Sequence, residues 1–194
     1  GIFAVLARGI KQAAFMNLIG ALTGTAVALT IASGLLNSAV LGLTPVFGAQ
    51  RGIPVTLIVW LLTAIQLGSL TLQWPLGRLS DRIDRRVVMA ACAAAVAVLS
   101  VLIALARADG ALLVVLFFLW GAVSLSFYAV AVAHAGDHAE PEQMVGVSSS
   151  SLLAWAAGAA VGPTAAAPFL DLVGPAGLFV YAALVASAIV AILF

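Results

Sequence analysis

Apolar positions in this chain run in long unbroken blocks, and the few charged positions fall between them. A block of about 20 uncharged residues is what spans a hydrocarbon core about 30 Å thick. No residue between Arg51 and Arg78 is charged, and Pro54 opens that block where its missing N–H is harmless, which predicts a helix from Pro54 to Gly77. Val87 to Ala106 is a second such span, closed by a short polar turn of Arg107, Asp109 and Gly110. Ala111 to Ala133 is a third. His134 to Gln143 holds Asp137, His138, Glu140, Pro141 and Glu142, too polar for a bilayer, and reads as a loop. Met144 to Leu170 and Gly174 to Phe194 complete the set, separated by a turn at Asp171.

The opening is less simple. Gln12 to Gln50 carries no charge and would be about 60 Å long as one helix, more than one bilayer holds upright. We read one crossing from Thr25 to Phe47, preceded by residues 1–24 as an interfacial segment or linker in which Arg8, Lys11 and Gln12 share a helical face. An additional crossing before Thr25 is the rival reading. The expected fold is therefore all-α: a polytopic membrane protein whose residues 25–194 form a bundle of six transmembrane helices.

Composition agrees. Of 194 residues, 64% are apolar and 8% are charged, against about 25% charged in a soluble domain. Fifteen charges cannot clothe a water-soluble globule of this size, so most side chains must have lipid as their solvent. A net charge of +1 and the lack of a long basic run exclude a nucleic-acid partner. The single cysteine, Cys92, lies in an apolar run and reads as a small buried hydrophobe. With Gly1 in first place and no charged region ahead of an apolar stretch, no signal peptide is expected, and the chain reads as part of something longer.

Six crossings put both ends on one side. Arg78, Arg82, Arg85 and Arg86, with Arg8 and Lys11, then share a face against Arg51 and Arg107 on the other, so the arginine-rich face is expected to be cytoplasmic.

The loop Gly77-Arg78-Leu79-Ser80-Asp81-Arg82-Ile83-Asp84-Arg85-Arg86 joins the second and third crossings. It resembles the signature loop of the major facilitator superfamily, whose pattern is Gly, any, Leu, small, Asp, Arg, any, Gly and two basic residues. Gly77, Leu79, Asp81, Arg82, Arg85 and Arg86 fall on it, while Asp84 stands where the pattern has its second glycine. Gly34 to Asn37, Leu43 to Phe47, Leu72 to Leu76 and Gly158 to Pro163 make the chain similar to the C-terminal six-helix half of bacterial members. The resemblance implies a transporter of a small organic solute in a bacterial inner membrane, working by alternating access with a missing N-terminal half and needing no cofactor or metal.

An acid at a helix end on the membrane surface can pair with a nearby arginine in one conformer and release it in another, which makes Asp81 and Arg85 a conformational latch. The plainer role for the four arginines is to hold the loop on anionic lipid and set topology, and the two roles can coexist.

Gly158 and Gly162, four apart on one helix face, allow close approach of another backbone, and Pro163 bends the helix just after. For a substrate path the candidates are Asn37, Gln66, Gln73, Tyr128 and Trp155; each either lines a cavity or makes an interhelical contact. Trp60, Trp74 and Trp120 read as interface or packing aromatics. No span carries an acid, so a proton-coupling group would come from the other half. His134 and His138 have metal-ligand spacing but read as ordinary loop histidines, and no metal site is expected. The alternative class is a membrane-embedded enzyme acting on lipid or isoprenoid, with Asp81 and Asp84 as a metal-binding pair, although four arginines beside them would repel a cation.

Overall fold

The computed structural model describes residues 24–106, 110–136 and 144–194. The interfacial segment expected over residues 1–24, apart from Gly24 itself, and the polar residues 107–109 and 137–143 lie outside the described residues; so does the pairing of His134 with His138.

Six α-helices make up nearly all of what is described: α1 Gly24–Gln50, α2 Val55–Ser80, α3 Arg85–Leu105, α4 Ala111–Gly136, α5 Met144–Val173 and α6 Gly177–Leu193. Of these, α2, α3, α4 and α6 begin within three residues of their expected starts, and several helices run past their expected ends. Charge marks the edge of the hydrocarbon, but caps and turns end a helix, so Arg78 and Asp171 lie within α2 and α5. The turn expected at Asp171 falls instead at Gly174–Ala176, a single 3-10 turn in which Gly174 adopts φ +72°.

Among the described residues, five stretches are long and apolar enough to cross a membrane: Ala26–Gln50, Val55–Ser80, Arg85–Leu105, Ala111–His134 and Met144–Leu193. The last is 50 residues long and holds both α5 and α6, because the separating turn is short and uncharged and α6 has only 17 residues.

The helices pack chiefly in pairs, α1 on α5, α2 on α4 and α3 on α6, with α3 also against α4. Two pairs are joined where glycine removes the side chain. A methyl on Gly34 would overlap the Trp155 carbonyl, and one on Gly158 would overlap that of Ile31. Gly68 and Gly121 make the same kind of contact between α2 and α4, against the carbonyls of Phe118 and Ile65. Lipid offers no hydrophobic drive for helices to associate, so such backbone-to-backbone fits supply the dispersion contact that holds them.

An aromatic hub ties the pairs together near one end. The Phe47, Phe117 and Phe179 rings, from α1, α4 and α6, meet at 5.2–5.8 Å between centroids, and Trp120 packs edge-on to Phe179 at 6.4 Å. The buried Trp120 indole donates to Ser100 Oγ of α3 at 2.9 Å. A second cluster of Leu29, Met89, Cys92, Phe127 and Ile189 fills the bundle elsewhere. Outside, Val55, Trp60, Leu70, Trp74, Leu105 and Leu172 are all exposed, which is stable only when lipid or another protein surface is the solvent.

Candidate functional site

The signature loop is a tight join between α2 and α3. Asp81 caps the C-terminus of α2, its N–H bonded to the Gly77 and Leu79 carbonyls. Its carboxylate Oδ1 receives the Arg85 guanidinium at 3.1 Å, and the same guanidinium reaches Ser80 Oγ at 3.3 Å. The pair therefore spans two helices, linking the end of one to the first residue of the next. Asp81 is 64% exposed at the side chain, so in the folded state the bridge is worth at most about 1 kcal/mol. A contact that weak is made and broken easily.

Asp84 explains the departure from the family pattern. Its φ of −49° is one any residue adopts, and its carboxylate accepts the Arg86 N–H at 2.8 Å, capping α3. The turn needs no glycine here. The two carboxylates thus have separate partners, one a guanidinium and the other a helix end, an arrangement unlike a metal-binding pair.

Gly77 has open space where a Cβ would stand, Leu79 is exposed, and Arg82 and Arg86 project from the loop. Arg78 lies back over Trp74, 3.9 Å from the ring centroid. At the far end of the bundle, Arg51 donates to the Ala106 carbonyl at the C-terminus of α3 at 2.6 Å, with its guanidinium 5.2 Å from the Phe47 ring. There the cation answers the negative end of the helix dipole.

Gly158 and Gly162 both face α1, the latter against the Leu35 carbonyl and Ser38 Oγ. Pro163 continues α5 without ending it, and lacks the N–H that would bond the Ala159 carbonyl. Ser38 of α1 supplies the replacement, donating to Ala159 O at 2.8 Å. Ser38, Gly34, Gly68 and Gly121 are contact residues that sequence reasoning missed. Gly34 and Ser38, like Ala64 and Gly68, are small residues four apart, so a signal was present.

The five substrate-path candidates do not converge. Asn37 is fully buried halfway along α1; its amide nitrogen donates to Ser33 Oγ at 3.2 Å and lies 3.5 Å from the Ser124 carbonyl of α4. Its Oδ1 and the Ser124 hydroxyl oxygen have no partner. Tyr128, one turn beyond Ser124, packs on Trp155 of α5 with centroids 6.1 Å apart. These three sit where α1, α4 and α5 approach one another. Gln66 and Gln73 stand apart, exposed on α2, as Trp60 and Trp74 also are.

Comparison with known proteins settles the family. Residues 13–194 match the profile of the Major Facilitator Superfamily, and the chain belongs to it. Among its relatives is the "Uncharacterized MFS-type transporter YcaD" of Escherichia coli O17:K52:H18 (strain UMN026 / ExPEC), 30% identical over 135 residues, which are 69% of this chain and 34% of the relative. The "Uncharacterized MFS-type transporter Ent638_1421" of Enterobacter sp. (strain 638) is 29% identical over 156 residues, 80% of this chain and 40% of the relative. The chain thus spans well under half the length of the curated relatives it matches. It is a multi-pass membrane protein of a transporter family.

Proposed function

We propose that this chain is one half of a secondary active transporter that moves a small organic solute across a bacterial inner membrane by alternating access. The ion pair between Asp81 and Arg85 carries the reading. It joins two spanning helices at the membrane surface, in the family's signature loop, and it is weak enough to open when the helices separate.

Six crossings fit the helix lengths better than five. Fifty residues of continuous helix would reach about 75 Å, more than twice the hydrocarbon thickness, whereas α5 and α6 taken singly each match one passage. Both ends then lie on the side of Arg78, Arg82, Arg85 and Arg86, which the charge rule makes cytoplasmic. The chain most resembles a C-terminal half, and the N-terminal half is its partner. The exposed face of α2, with Gln66 and Gln73 among apolar residues, is the surface for the solute path or for that partner.

The reading is tested in the intact protein with Cys92 replaced by alanine and cysteine placed at Gln66 or Gln73. A membrane-impermeant maleimide applied from either side reports exposure to water. Alternating access predicts labelling from both sides, with Asp81→Asn shifting the balance toward one side while membrane insertion stays intact. Cysteines inert from both sides, or a balance that Asp81→Asn does not move, would defeat it.

A further inference from the structure

Beside the signature loop, α2 and α3 diverge and leave an open groove of about 340 Å³. Leu76 and Leu79 of α2 and Val87 and Ala91 of α3 form its sides, Ile83 its mouth and Val123 of α4 its floor. The lining is almost wholly apolar. From Val87 the α3 wall runs to Ala95, about 12 Å at 1.5 Å per residue, which keeps the groove within one leaflet of a core about 30 Å thick.

The mouth is basic. Leu79, Ile83 and Val87, which line the groove, are each preceded by an arginine: Arg78, Arg82 and Arg86. Across the loop, four arginines face two aspartates, and both acids are engaged, Asp81 with Arg85 and Asp84 with the α3 N-terminus. Arg82 on the connector and Arg86 at the second position of α3 are both exposed, next in sequence to the lining residues Ile83 and Val87.

We propose that the groove is a binding site for one anionic phospholipid, with an acyl chain between α2 and α3 and the phosphodiester held by Arg82 and Arg86. A bulk lipid surface would satisfy the arginines alone, but it would not account for an apolar slot of single-leaflet depth opening at the charges. An acyl chain in the slot covers Leu76, Ile83 and Val87, and the phosphate stands where the loop carries its excess positive charge. Because the lipid touches both helices that the Asp81–Arg85 pair joins, its occupancy bears on how freely they separate.

The test is retention of lipid by the intact protein, read by native mass spectrometry after exchange into phosphatidylglycerol or phosphatidylcholine. Phosphatidylglycerol should be held and phosphatidylcholine lost. Arg82→Gln with Arg86→Gln should weaken that retention roughly 30-fold, from the loss of two surface charges. Ala91→Phe, which fills the slot and leaves every arginine in place, should weaken it as well. Cys92 lines the same groove and provides a second measurement, its labelling read by mass on the peptide that carries it. An apolar thiol reagent should label it more slowly in phosphatidylglycerol than in phosphatidylcholine. Equal retention of the two lipids, retention unaffected by Ala91→Phe, or Cys92 labelling indifferent to headgroup would overturn the site. A groove filled by the other transporter half would show as no bound lipid at all, and would overturn it too.

Discussion

The hydroxyl of Ser38 on α1 donates to the carbonyl of Ala159 on α5, the one carbonyl that Pro163 leaves without its own helical partner. A proline deep in a spanning helix is tolerated because a neighbouring helix completes the hydrogen bond that proline cannot make. Ser38→Ala should therefore destabilise the fold by about 1 kcal/mol, within the range of interhelical hydrogen bonds in membranes. In a Pro163→Ala background position 163 regains its N–H, and the same substitution should cost close to nothing. Unfolding titrations of the four proteins measure this coupling; an equal cost of Ser38→Ala in both backgrounds would sink the assignment.

Glycines in this chain are not equivalent. Gly158→Ala drives a methyl into the α1 backbone and should cost about 1–3 kcal/mol. Gly77→Ala meets open space on an exposed helix turn and should be neutral or stabilising by up to about 1 kcal/mol. Thermal unfolding of the two variants side by side distinguishes them. A Gly77→Ala protein that unfolds as readily as Gly158→Ala would show that the signature glycine has a packing role.

Asp84 offers a test of why the family's glycine is dispensable. As an N-cap, Asp84→Ala should cost about 1 kcal/mol, whereas Asp84→Gly, the residue of the family pattern, should cost only a few tenths. Hydrogen exchange at the Arg86 and Val87 amides should quicken in the alanine variant. Protection of the Arg86 amide in the alanine variant equal to that in the unmodified chain would mean that the cap contributes nothing.

Ser100 and Trp120 form a buried hydrogen bond between α3 and α4, next to the aromatic hub. Ser100→Ala leaves the indole N–H without that acceptor and should cost about 0.6–1.7 kcal/mol. Trp120→Ala empties a much larger volume and should cost about 3–5 kcal/mol. Denaturant midpoints check both; a serine variant as damaging as the tryptophan one would place the energy in the hydrogen bond rather than in the ring.

Much of the fold was legible because lipid imposes a simple rule: long uncharged blocks become spanning helices, and charges gather between them. The signature loop was legible because its pattern is dense in charge, and the partners that Asp81 and Asp84 find lie within four residues. Gly34, Ser38, Gly68 and Gly121 were harder to assign, since their importance depends on which helices meet and at what register. Asn37 shows the same limit. Its sequence position marks a buried polar group, but only the approach of α4 shows that Ser33 and Ser124 surround it rather than open space. Gln66 and Gln73 were grouped with it for being polar within a span, yet they face away from the packed interior.

Where two helices touch backbone to backbone, as α1 does with α5 and α2 with α4, no side chain separates them at the contact glycines to take up shear. Each pair is in effect a stiff plank. When the bundle deforms, the planks must tilt whole, sliding along the softer seams of leucine, valine and phenylalanine that separate them. The short connector at residues 81–84 runs from one plank to a helix outside it, so any tilt of that plank against its neighbour is felt there.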